Sequence, residues 1–119
     1  MEDALINILE SFKYPVYRQG SMSNDAAYPD TFFTFWNNDS PDHSHYDNEE
    51  YGTDWDFNIY VFSNDPSLTY SLLAEARTAL KEAGWICLGK GFDTASDEET
   101  HTGRGLEVLY LETLQTGGN

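Results

Sequence analysis

Apolar residues near the start of the chain recur at helical spacing. Leu5, Ile8, Leu9 and Phe12 fall at i, i+3, i+4 and i+7, which predicts a helix over Glu2 to Phe12. The stretch "YPVYRQGSMSNDAAYPD" carries Pro15, Gly20 and Pro29 around a polar middle and reads as a connection, with one short extended piece at Pro15 to Gln19. "TFFTFWN", Thr31 to Asn37, is β-branched and aromatic and too short for a typical helix, so a strand is expected. In "TDWDFNIYVFS" a period of two puts Trp55, Phe57, Ile59 and Val61 on one face. Asp54, Asp56, Asn58, Tyr60 and Phe62 take the other.

A second helix is marked at both ends. Asp65 supplies an N-cap, Pro66 suits the first helical position, and Gly84 follows the last periodic residue as a stop. Leu68, Leu72, Ala76, Ala79, Leu80 and Ala83 form its apolar stripe. "WICLGKG" and "RGLEVLYLETL" predict two more strands. Residues 38–52 and 92–103 read as acidic loops, and residues 115–119 as a flexible tail.

The predicted order is α-β-β-α-β-β in a single domain, residues 1–119. Consecutive strands joined by non-helical loops pair antiparallel, so the expected class is α+β. It would have a mainly antiparallel sheet of about four strands with two helices on one face. Two helices leave the other face uncovered. Phe33, Phe35, Tyr60 and Phe62 are accordingly expected to form an intersubunit contact.

Composition narrows the function classes. The chain has 119 residues, 39% hydrophobic and 15% aromatic, enough to bury a core without staples. Its single cysteine, Cys87, excludes an internal disulfide and a four-cysteine zinc site. No basic leader precedes an apolar segment, and no apolar run is long enough to cross a bilayer; no standard secretion signal and no membrane association are expected. The charge is extreme: 21 Asp and Glu against 6 Lys and Arg give −15 at pH 7. Such a surface repels phosphate backbones, which binders neutralise with Lys and Arg. Solubility, a basic partner, or a surface that nucleic acid must pass without adhering all remain compatible with it.

Few residues suggest chemistry. His43 and His45 form an H-x-H pair with Asp42, Asp47, Glu49 and Glu50 nearby, and His43, His45 and Asp47 are weak metal candidates. Ser40, Pro41 and Asn48 point to a loop instead of a strand that would align both imidazoles, so a solvated loop is the favoured reading. An EF-hand register centred on Gly52 puts Tyr51 and Asn58 at ligand positions and fails. Cys87 lies within an apolar strand, and no serine has nucleophile-elbow context. His101 stands near Asp97 and Glu98, and "GKG" at Gly89 to Gly91 lacks phosphate-loop spacing. Asp54 and Asp56 share a strand face, which suits a polar sheet face or subunit rim better than paired-carboxylate catalysis. No enzyme and no cofactor are expected.

The early "YPVYRQG", the aromatic strand "TFFTFWN", the polar loop, "DFNIYVFSND" running into a helix, "ALKEAGW" and the closing "GLEVLYLE" stand in a particular order. In that order and spacing the chain resembles the tail-completion or tail-terminator (neck) proteins of long-tailed bacteriophages and prophages, from Tyr14 to Glu112. The resemblance implies a virion structural protein for head–tail joining, assembled in the host bacterial cytoplasm. It would form a ring, expected to be hexameric, that caps the tail tube, meets tail tube protein and head-side connector proteins, and lets DNA pass without specific binding. Asp42, Asp47, Glu49, Glu50, Asp97, Glu98 and Glu99 would then lie in docking or lumen loops. A different class accounts for the same charge: a small acidic DNA mimic or inhibitor, of anti-restriction, anti-CRISPR or immunity type, blocking a basic site.

Overall fold

A computed structural model describes residues 2–18, 29–39, 53–96 and 99–112. The fold is α+β. Its elements are α1 (Glu2–Glu10), β1 (Val16–Arg18), β2 (Thr31–Asp39), β3 (Thr53–Ser63), α2 (Pro66–Glu82), β4 (Ile86–Thr94) and β5 (Thr102–Glu112). The strands form one five-stranded sheet in the order β1-β2-β3-β5-β4.

The sheet differs from the expected one in a definable way. The extended piece near Pro15 is a paired strand: β1 runs parallel to β2, with Val16 opposite Phe33 and Arg18 opposite Phe35. All other neighbours are antiparallel. The sheet is therefore mixed and has five strands instead of four. Three residues flanked by Pro15 and a polar stretch give almost no periodicity, so only pairing reveals β1. The strands also run into the segments read as loops. Asn38 and Asp39 belong to β2, Phe92 to Thr94 to β4, and Thr102 and Gly103 to β5. Polar residues in those positions are tolerated because, among the described residues, the helices cover only one side of the sheet.

α2 begins and ends as its sequence predicts. The Asp65 carboxylate accepts a hydrogen bond from the Ser67 amide at 3.0 Å, and Pro66 opens the helix. At the other end Gly84 takes φ +97, which lets the Trp85 amide reach back to the Leu80 carbonyl at 2.9 Å. The buried stripe is Thr69, Leu72, Leu73, Ala76 and Leu80, while Ala83 is exposed. α1 is shorter than expected, closing at Glu10 in a turn through Lys13 with φ +70.

Both helices cover the same side of the sheet. There Leu5, Leu9, Leu72, Leu73, Ala76 and Leu80 pack onto Phe33, Phe35, Phe57, Ile59, Val61, Leu106 and Val108, with Trp85 at the margin. Phe35 and Trp85 set their rings against Phe57 with centroids 6.3 and 5.9 Å away, tying the core together. Among the described residues no helix is long and apolar enough to cross a membrane.

The positions of Phe33 and Phe35 correct the expected interface. They pair with Val61 and Ile59 and are 0% and 2% exposed, so they belong to the monomer core. A one-residue offset between two adjacent aromatic strands decides this, and alternation within "TFFTFW" cannot tell one face from the other. Phe35→Ala should therefore act on folding. Chemical denaturation is expected to register a loss of about 3–5 kcal/mol.

Candidate functional site

The side of the sheet without helices collects the residues that the core leaves over. From β3 it receives Asp56, Asn58, Tyr60 and Phe62, and from β2 Phe32, Thr34 and Trp36. β5 contributes Gly103, Gly105, Glu107, Leu109 and Leu111, and β4 adds Ile86, Leu88 and Phe92. Six large apolar side chains are exposed among the described residues, and five of them, Trp36, Ile86, Leu88, Phe92 and Leu111, project from this face. The sixth, Tyr70, lies on α2 against the Arg104 guanidinium.

A chain of aromatic rings crosses the strands. Tyr17 meets Phe32 edge-on at 5.9 Å, Phe32 stacks on Phe62 at 5.4 Å, Phe62 on Tyr60 at 6.1 Å, and Tyr60 meets Phe92 at 6.3 Å. The rings lie flat because β5 offers glycine beneath them. A Cβ on Gly103 would stand 2.6 Å from Phe62, and one on Gly105 2.7 Å from Phe92 and 2.8 Å from Tyr60. Rings over strand glycines repay the packing that a missing side chain forfeits. Phe32 is thereby buried at 2% exposure with no helix above it.

Beside the aromatic strip lies a polar patch. Asn38 donates from Nδ2 to Asp56 Oδ1 at 3.1 Å and to Asn58 Oδ1 at 2.9 Å, and Asn58 Nδ2 donates to the Tyr60 hydroxyl at 3.0 Å. Glu107 pairs with Asn58 across the strands, so it stands diagonally to Asp56 on the same face. The Glu107 carboxyl is held above the usual carboxyl range, first by the hydrogen bond it shares with Asp56, then by burial and by the like charge of Asp56. A hydrogen bond between two carboxyl groups forms when one of them carries the proton and donates it to the other.

Other groups singled out in the sequence are not drawn into a reactive arrangement. Cys87 faces the helices, its thiol pushed up by burial against the opposing charges of Arg77 and Lys81. That direction disfavours the nucleophilic thiolate. His101 donates from Nε2 to the Pro29 carbonyl at 2.8 Å, its Nδ1 is 2.9 Å from the Thr100 hydroxyl, and its ring leans on Phe32. It fastens the approach to β5 onto the approach to β2. A cleft of about 400 Å³ opens between the start of α2, the end of β4 and the start of β5. Its Arg104 is bonded to Asp93 at 2.7 Å and stacked on Tyr70 at 4.2 Å.

His43, His45, Asp42, Asp47, Glu49, Glu50, Asp97 and Glu98 lie outside the described residues, as does the tail at 115–119. Glu99 is exposed in a turn. No group of three or more metal-ligating side chains occurs among the described residues. Tyr60 and Phe62 do stand on the helix-free face, half-buried, whereas Phe33 and Phe35 do not reach it. Sequence reasoning missed Trp36, Phe92 and Glu107; their signal was parity relative to β3, which needs the pairing register. The sequence matches no protein-family model and no curated protein.

Two outcomes follow from this geometry. Gly105→Ala should destabilise the fold by about 1–3 kcal/mol in denaturant titration, because the methyl meets two rings held in place. Raising the folded-state value of Glu107 above its unfolded value contributes stability below the ordinary carboxyl range, and that contribution is lost as pH rises through the folded value. Glu107→Gln should accordingly equal or exceed the parent in thermal stability at neutral pH. The gain should vanish when the melts are run below about pH 4.

Proposed function

We propose that the chain is a structural subunit that assembles with copies of itself through its helix-free sheet face, as a tail-terminator or neck component of a long-tailed bacteriophage or prophage would. One observation carries the reading: among the described residues, five of the six exposed large apolar side chains share that face. Ile86, Leu88, Phe92 and Leu111 cluster on β4 and β5, with Trp36 across Asn58 and Glu107 from them, and soluble monomers rarely leave large apolar patches uncovered. An aromatic sheet surface is the sort of contact that joins neighbouring subunits, and in the ring the neighbour takes the place of a third layer.

The charge belongs to the same reading. A ring that passes DNA needs a lumen that does not bind it, and acidic loops such as the one holding Glu99 serve that need. Tail tube and head-side connector proteins are the expected partners at the two rims, and the virion is the place of work. A DNA-mimicking decoy explains the net charge equally well but leaves the apolar face without a use.

Light scattering over a range of protein and salt concentrations tests this. The expected result is a ring-sized mass, or a monomer that converts to one as salt screens the −15 charge on each chain. Trp36→Lys and Ile86→Lys should reduce that assembly at least tenfold while leaving the thermal melt of the monomer nearly in place. A strict monomer under all of these conditions would overturn self-assembly and favour the decoy.

A further inference from the structure

We propose that closing this face against a second copy of the chain takes up a proton at the Asp56–Glu107 pair, so that assembly weakens as pH rises. The inference rests on the self-assembly reading above and adds its regulation.

The size of the face suits a second subunit. Five strands spaced about 4.8 Å apart and averaging about nine residues at about 3.3 Å each make a surface of roughly 700 Å². A standard protein interface buries roughly 800 Å² on each partner. Covering the face therefore amounts to a full interface, and it takes the acid pair out of water together with Trp36, Leu88 and Phe92.

The surroundings of the pair decide what burial does to it. From β2, Asn38 gives one amide hydrogen bond to Asp56. From β3, Asn58 and Tyr60 are neutral neighbours, and from β4, Leu88 stands opposite Glu107. Gly105 and Leu109 flank Glu107 along β5. The helices pack on the opposite side and bring no group to it. The next titratable positions by register, Asp39 opposite Asp56 and Asp54 two residues before it, are also acids. The nearest basic residue by register is Lys90, in the irregular stretch of β4 between Leu88 and Phe92, while the influences that raise Glu107 are Asp56 and burial.

A second copy has few cations to offer, Lys13, Lys81 and Lys90 beside three engaged arginines. The chain has 6 basic residues against 21 acids. Arg18 already binds Glu2, Arg104 binds Asp93, and Arg77 Nε is spent on the Gly89 carbonyl at 2.9 Å. Two ionised carboxylates buried side by side would keep their full desolvation cost and repel each other. One proton converts the pair into a charge-assisted O–H···O⁻ hydrogen bond carrying a single charge. The proton does what a cation would otherwise do. A basic partner would reverse the sign, since its Lys or Arg would bind the fully ionised pair and association would strengthen with pH.

Sedimentation velocity at fixed salt from about pH 5.5 to about pH 8 separates these possibilities for the parent chain, Glu107→Gln, Glu75→Gln and Trp36→Asp. Glu75 is an exposed acid on α2 and reports the effect of removing one charge away from the face. The parent's association constant is expected to fall with pH, by up to about tenfold per unit for each pair covered. Glu75→Gln should follow it, and Glu107→Gln should lose most of that slope. If Glu107→Gln keeps the slope of Glu75→Gln, the proton is taken up elsewhere and the inference fails while self-assembly stands. If Trp36→Asp associates as strongly as the parent, the face is not the interface and the reading beneath the inference fails. Association that strengthens with pH would also overturn it.

Discussion

Strand β3 is hydrogen-bonded along both edges, to β2 on one side and β5 on the other, and its alternation is carried to every other strand through those ladders. Phe57, Ile59 and Val61 must lie under the helices, because α2 can bury its stripe of Leu72, Leu73, Ala76 and Leu80 only against an apolar layer. Once they do, Asp56, Asn58, Tyr60 and Phe62 have to point the other way. Every partner strand inherits the same division, including the partly apolar outward sets of β4 and β5. The open face follows from the core.

What keeps that face ordered is a second layer of packing built without helices. Aromatic rings lie across glycines of the neighbouring strand, and Phe32 is sealed between Tyr17, Phe62 and His101. The rings fill space that a covering layer would otherwise take, yet Trp36, Leu88 and Phe92 stay about half exposed. Such a surface can hold its shape in the monomer and still gain from being covered. The polar patch of Asn38, Asp56, Asn58 and Glu107 lies on the same face, with the Asn38 amide bonded to Asp56 and Asn58 and the Glu107 carboxyl raised first by its hydrogen bond with Asp56.

How much of this was legible in the sequence depended on how locally each feature is determined. The caps and stripe of α2 were readable, since Asp65, Pro66 and Gly84 act through their own backbone within a turn. So was the alternation of β3, whose two faces differ sharply in polarity. β1 was legible only as an extended piece, being three residues long and held by its neighbour. The acid pair was out of reach for a different reason. Asp56 and Glu107 are 51 positions apart, and they meet only because Asn58 and Glu107 are partners in the ladder.

By itself, then, the chain determined an α+β class, the helix ends, the strand-forming segments, a −15 charge and more apolar strand surface than two helices can cover. Each of these comes from composition or from contacts between near neighbours. The tertiary structure decided the parallel fifth strand, the placement of Phe33 and Phe35 in the core, and the identity of the exposed set. Those depend on register, and a shift of one residue between β2 and β3 would exchange Phe33 and Phe35 in the core for Phe32, Thr34 and Trp36 without altering any local preference. Only the simultaneous burial of Phe57, Ile59, Val61, Phe33 and Phe35 beneath the same two helices chooses between them.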